Sequence, residues 1–140
     1  MWLLLTSAIV SGLLGVLAAV FVDAFLAQRI AIVGAFIGFE RSVNGGVAFG
    51  WHLGIIQPLL IAVALILIAW LATVAAKTRE AQIGFGLIIG GGIANIIDRL
   101  RDGFVTDFIQ VGSCPVFNLA DSCITAGAVL LLLGYLQKQK

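Results

Sequence analysis

The chain has 140 residues, 61% of them hydrophobic and only 11% charged, with a formal net charge of +1. Soluble domains carry about 25% charged residues, so too few polar groups are present to cover a water-facing surface. The near-zero charge also leaves no basic field to attract nucleic acid.

In chain order, Met1 to Val22 is free of charge up to Asp23 and is long enough to cross a bilayer core, which takes about 20 apolar residues. No Lys or Arg precedes Arg29, and the apolar run exceeds that of a cleaved leader, so we read a retained helix. Asp23 to His52 mixes apolar and polar residues, with Arg29, Glu40 and Arg41. It is too interrupted to span and reads as strands or a short helix at the interface, where His52 beside Trp51 is an interfacial side chain. Leu53 to Ala76 is the second uncharged run, followed by the tight link Lys77-Thr-Arg-Glu80. The third, Ala81 to Ile97, carries the small-residue stripe Gly86-x-x-x-Gly90-x-x-x-Ala94, which lets helices approach closely in lipid. Arg99 to Val116 reads as a long loop, and the last span runs from Phe117 to Gln137 with Asp121 as its sole charge.

Spans over 1–22, 53–76, 81–98 and 117–137 predict an all-α membrane fold of four helices in one domain, 1–140, with both termini on one side. Lys77, Arg79, Lys138 and Lys140 fall on the terminal side, and Arg29, Arg41, Arg99 and Arg101 on the other. That balance does not orient the chain by the positive-inside rule. If some of the second group serve a site, the terminal side is cytoplasmic. Cys114 and Cys123 are too few for a disulfide framework, and no Cys–His set has metal-ligand spacing, so we expect free thiols, no metal and no cofactor.

Ionisable groups in or beside membrane spans are costly, so their placement points to function. Asp23, Asn44, Asp98, Arg99, Arg101, Asp102, Asp107 and Asp121 fall on the same side of the four-span arrangement. Asn95, Asp98 and Arg99 share one helix face at i, i+3 and i+4. Asn118 and Asp121 stand three apart at the start of the last span, where Asp121 needs a partner or a proton. Asp107, in Val105-Thr-Asp-Phe-Ile109, suits a loop dipping back toward the core. Two carboxylates in one poorly solvated site share a proton, an arrangement suited to peptide hydrolysis. The structural alternatives are an N-cap for an aspartate at a helix start and a plain Asp98–Arg99 ion pair.

These residues resemble the lipoprotein signal peptidase (signal peptidase II) family over nearly the whole chain. Asn44-Gly-Gly-Val-Ala-Phe-Gly50, Gly90-Gly-Gly-Ile-Ala-Asn-Ile-Ile-Asp-Arg99, Val105-Thr-Asp-Phe-Ile109 and Phe117-Asn-Leu-Ala-Asp121 are similar to four family blocks in the family's order. The resemblance implies an aspartic-type membrane endopeptidase with Asp107 and Asp121 as its catalytic pair. Asn95, Asp98, Arg99, Asn118 and Ala120 fall in its supporting blocks, Asn44 and Gly46 in a substrate-facing loop, and Asp23 at the head of its first block. It also implies a small extracytoplasmic interfacial β-element and cytoplasmic termini in a bacterial cell membrane. The implied substrate is a diacylglyceryl-modified prolipoprotein, cut before its lipidated cysteine. Membrane lipids are the other implied partner, and we expect a monomer. Ala24, Ala27 and Ala94 stand where the family has Gln, Lys and Gly; the missing lysine removes a cation near the end of helix one, for which Arg29 is the candidate replacement. A small proton- or cation-coupled transporter would also carry membrane aspartates, though nearer mid-helix, and a non-catalytic lipid-binding subunit is the third reading.

Overall fold

A computed structural model describes residues 1–46, 57–137 and 139. Its elements run α1 (Trp2–Phe25), β1 (Ile30–Val33), β2 (Ile37–Asn44), α2 (Gln57–Ala75), α3 (Arg79–Asp102), β3 (Val105–Val111) and α4 (Leu119–Gln137). Among the described residues, α1, α3 and α4 are long and apolar enough to cross a membrane, while the described apolar run of α2, Leu59–Ala75, is shorter. The expected start of the second span, residues 53–56, lies outside the described residues, as does His52.

Caps explain where α3 departs from its uncharged run. The Thr78 hydroxyl accepts the Ala81 amide at 3.2 Å, opening the helix before Ala81, as N-cap side chains do. At the other end Gly103, at φ 92°, turns the chain out, and its amide returns to Arg99 O. This left-handed C-terminal residue is the usual glycine device, and it aims the following residues at the sheet. α1 likewise continues past its first charge: Asp23 lies in its last turn.

Helix α3 is the centre of the bundle, packed on α1, α2 and α4. The glycine stripe serves this role. A Cβ at Gly86 would strike the Ser7 hydroxyl, one at Gly90 would strike the Ser11 hydroxyl, and Ala94 faces Gly15. The stripe therefore seats α1 almost backbone to backbone. On the other side, a Cβ at Gly91 would meet the Ala120 carbonyl of α4. The outward faces of α1 and α2, with Leu13, Leu17, Phe21, Ile66 and Trp70, stay exposed, as suits a lipid environment.

The interfacial segment forms strands, and the sheet is larger than expected. Its order is β1-β2-β3, antiparallel throughout. The stretch read as a long loop after Arg99 supplies β3, so Asp107 sits on a strand, not on a dipping loop. Valine, threonine, phenylalanine and isoleucine in succession favour a strand, and pairing with β2 satisfies the backbone polar groups. Ser42 pairs with Asp107 and Phe39 with Ile109, with a shift of register between them. One extra residue on β2 is accommodated there, a β-bulge that re-aims neighbouring side chains.

Candidate functional site

Strand β3 divides the polar groups. Successive strand residues point to opposite faces, and here Thr106 and Asp107 carry different partners. The Asp107 carboxylate, 3% exposed, accepts Asn44 Nδ2 at 3.1 Å on Oδ2 and Asn118 Nδ2 at 2.8 Å on Oδ1. Asn118 Nδ2 also donates to Asn95 Oδ1 at 3.1 Å, and Asn95 Nδ2 donates to Asp121 Oδ1 at 2.7 Å. Two asparagines thus link the two carboxylates in one chain of hydrogen bonds. An amide side chain both donates and accepts, which is why asparagine can bridge acids that repel.

Asn118 stands just before α4, and its Oδ1 accepts the Asp121 amide at 2.8 Å. The helix cap is therefore Asn118, and the Asp121 side chain is left for other work. Asp121 occupies the first turn of α4. Burial pushes the Asp107 carboxyl up to about 6, and the charge of Asp121 adds to the rise. The Asn44 and Asn118 hydrogen bonds and the Arg99 charge act against it. A carboxyl so placed keeps its proton into the weakly acidic range, well above an ordinary aspartate, while a second carboxylate lies close by.

Arg99 secures the rim. Its Nη2 donates to Gly46 O at 2.7 Å and its Nη1 to Asn95 O at 3.3 Å. Asn44 Oδ1 accepts the Gly46 amide at 2.9 Å. The guanidinium thus straps the end of β2 to α3; the rest of the Asn44–Gly50 block, residues 47–50, lies outside the described residues. No Asp98–Arg99 ion pair closes the helix: Asp98 turns to Arg101 and to the Thr106 amide.

Asn44, Asn95, Arg99 and Asp121 form the polar end of a cavity of about 320 Å³. Its other walls are Ile61, Ala64, Leu65 and Ile68 of α2, Ile88 and Gly92 of α3, Val105 of β3 and Ile124 of α4. Asp121 is the acid that lines this apolar slot, and Asp107 lies behind Asn44 and Asn95, linked to the wall by hydrogen bonds; such a site is concave with few, convergent polar groups.

Asp23 and Asp98 belong to the opposite face of β3. Asp98 Oδ2 accepts the Thr106 amide at 2.7 Å, and Asp23 accepts the Thr106 hydroxyl at 3.2 Å. Asp23 is paired by Arg41, whose Nε lies 2.7 Å away, and by Arg101. The cation at the end of helix one is thus supplied by Arg41 and Arg101. Arg29 points elsewhere, to Gln110 Oε1 at 2.9 Å and Gly34 O at 3.2 Å. Ala120, 3% exposed, fills the contact of α4 with Gly15 and Gly91. Cys114 and Cys123 are free thiols, and no metal-holding cluster occurs among the described residues. Thr106, Arg41 and Arg101 were not singled out as site residues. The one local signal was Arg101, three residues after Asp98 on the same helix face.

The sequence pattern of the family described as Signal peptidase (SPase) II matches residues 5–137. The chain belongs to the signal peptidase II family. It is 40% identical over 132 residues to the lipoprotein signal peptidase of Chlorobium luteolum, covering 84% of this chain and 79% of that one. With the lipoprotein signal peptidase of Xylella fastidiosa it shares 37% over 139 residues, covering 91% and 83%. With that of Dehalococcoides mccartyi it shares 44% over 100 residues, 66% of this chain and 62% of the relative's length. Two solved structures described as bacterial membrane enzymes share the fold. One has a TM-score of 0.84 at 22% identity, covering 98% of this chain and 89% of that one. The other has a TM-score of 0.75 at 23% identity, covering 94% and 93%.

Proposed function

We propose that this member of the signal peptidase II family is an aspartic-type endopeptidase acting inside the membrane boundary. It removes the signal peptide of diacylglyceryl-modified prolipoproteins, cutting before the lipidated cysteine. The observation that carries the reading is the asparagine chain joining Asp107 to Asp121 at the polar end of an apolar cavity. In this reading Asp107 holds the shared proton, as its raised pKa favours, and Asp121 is the ionised partner. Asp121 takes a proton from water, and the resulting hydroxide adds to the scissile carbonyl carbon. Asp107 donates its proton to the carbonyl oxygen. As the tetrahedral intermediate collapses, the C–N bond breaks, a proton passes to the leaving amine, and the pair returns to one shared proton.

The lipid chains of the substrate stay in the bilayer while the peptide bond reaches the acids. Burying each CH₂ contributes roughly 0.8 kcal/mol, so anchoring supports binding. In keeping with this, we read one domain, 1–140, working as a monomer, with α2 as a fourth span. Both termini are cytoplasmic, and the sheet and acid pair are extracytoplasmic, in a bacterial cell membrane. The test is a cleavage assay in proteoliposomes on the modified prolipoprotein and its unmodified precursor, with a chelator present. Cleavage of the modified form alone, lost in Asp107→Asn and Asp121→Asn, is the expected outcome. Turnover retained by either folded variant sinks the acid-pair assignment.

A further inference from the structure

The face of β3 turned away from the acid pair holds an ion cluster that touches no part of the cavity. Arg101 Nη2 is its hub: it contacts Asp23 Oδ2, Asp98 Oδ1 at 3.1 Å and Asp102 Oδ2 at 3.3 Å. Asp23 closes α1 and Asp98 lies in the last turns of α3, so one guanidinium joins two helix ends. Those two acids grip the same residue. Asp98 accepts the backbone N–H of Thr106, and Asp23 accepts its hydroxyl. Thr106 is 2% exposed and Asp98 5%, so that half of the grip is buried and weakly screened, while Asp23 and Arg101 lie nearer the surface.

Thr106 is covalently next to Asp107. Fixing its amide at the strand edge and its side chain on one face fixes where the neighbouring side chain projects on the other face. Without Arg101, Asp23 and Asp98 would face each other with less cation between them, and like charges repel. Arg41 would remain on Asp23 alone, since no Arg41 contact reaches Asp98 among the ion pairs of the described residues.

Resting on the acid-pair reading above, we propose that Arg101 is a positioning residue for Asp107. By bridging Asp23 and Asp98 it clamps Thr106 and thereby holds the Asp107 carboxylate within reach of Asn44 and Asn118. It touches no substrate and acts through the strand. A displacement of order 1 Å in a reacting group costs about 100-fold in rate, so the clamp acts on kcat and leaves substrate binding alone.

The test uses the full chain in proteoliposomes with a diacylglyceryl-modified prolipoprotein, below the unfolding temperature of every variant. Arg101→Ala is expected to lower kcat by about 10- to 100-fold with KM within about twofold. All of the Arg101 contacts run to one nitrogen, and a lysine ammonium offers three donors from one nitrogen. Arg101→Lys is therefore expected to restore kcat to within about threefold of the parent. A folded Arg101→Ala with parental kcat overturns the inference, and so does a loss that Arg101→Lys fails to rescue. Should Arg101→Ala not fold, Thr106→Val decides. It keeps the ion bridge and removes only the hydroxyl held by Asp23, and an unchanged kcat there overturns the clamp. Asp107→Asn is run alongside: if it still cleaves, the acid-pair reading has failed. If it is inactive while Arg101→Ala is fully active, only the positioning role has failed.

Discussion

Asp107 is tuned by opposed influences, and each can be removed separately. Asn44 donates to its Oδ2 and so favours the charged form, against the burial that raises the pKa to about 6. In the proposed mechanism, activity falls as pH rises through that value, because the shared proton is lost. Asn44→Ala removes a donor to the carboxylate, so the alkaline limb of the kcat/KM profile is expected to move to higher pH. The sign for stability follows from the same shift. A carboxyl whose folded pKa is raised binds its proton more tightly when folded. Its stabilising contribution is complete below the ordinary value of 3.8 and is lost as pH rises through about 6. Thermal unfolding in detergent should show the parent losing stability between about pH 4 and about pH 7, with that component absent in Asp107→Asn. Asn95 with Arg99, and Asn118 with Asp121, were legible from sequence because polar groups in apolar runs demand partners and their helical spacing placed each pair on one face; Asp107 stood out as a polar residue among apolar ones, and Asn44 as a site residue only through the family resemblance. Which side of β3 each acid serves was not legible. Asp23 reaches Thr106 from 83 residues away and Asp98 reaches it around the turn at Gly103, and helix periodicity carries no information about either.

At the scale of elements, α3 depends on its missing side chains. A Cβ at Gly90 would run into Ser11 of α1, and α1 cannot retreat without losing its other contacts on the stripe. Gly90→Leu is expected to lower stability by about 1–3 kcal/mol or more, as overpacking does, read as a fall in unfolding temperature in detergent. Asp102 offers a contrast at the end of the same helix. It is exposed and accepts the Phe104 amide at 3.0 Å; it also touches Arg101 at 3.3 Å but grips neither Thr106 nor Asp107, so Asp102→Asn should leave turnover within about twofold. Long uncharged runs revealed the helices, since only charge placement was needed. The helix ends moved by a few residues because caps such as Thr78 and Gly103 act one residue at a time. Strand β3 escaped notice because its seven residues carry an aspartate and a glutamine among apolar neighbours. Its stability comes from β2, about 65 residues earlier, which a local pattern cannot reveal.

For the whole molecule, the proposed orientation has a chemical handle. Cys114 is exposed and follows β3, while Cys123 is half-buried within α4. A membrane-impermeant thiol reagent applied from outside the cytoplasmic membrane should label Cys114. Labelling only after the membrane is permeabilised would reverse the orientation. Among the described residues, three helices are long and apolar enough to span, and the sheet contacts α1 and α3; the proposed chemistry would then lie at one boundary of the bilayer.

The acid pair is split between two kinds of architecture, and this bears on biogenesis. Asp107 arrives on a strand that exists only once residues 37–44 and 105–111 have met. Asp121 arrives on α4, which follows that strand in the chain. On the proposed mechanism, Asp107 has no acid partner until α4 has docked beside the sheet, so the proposed acid pair comes into being only as these two elements meet.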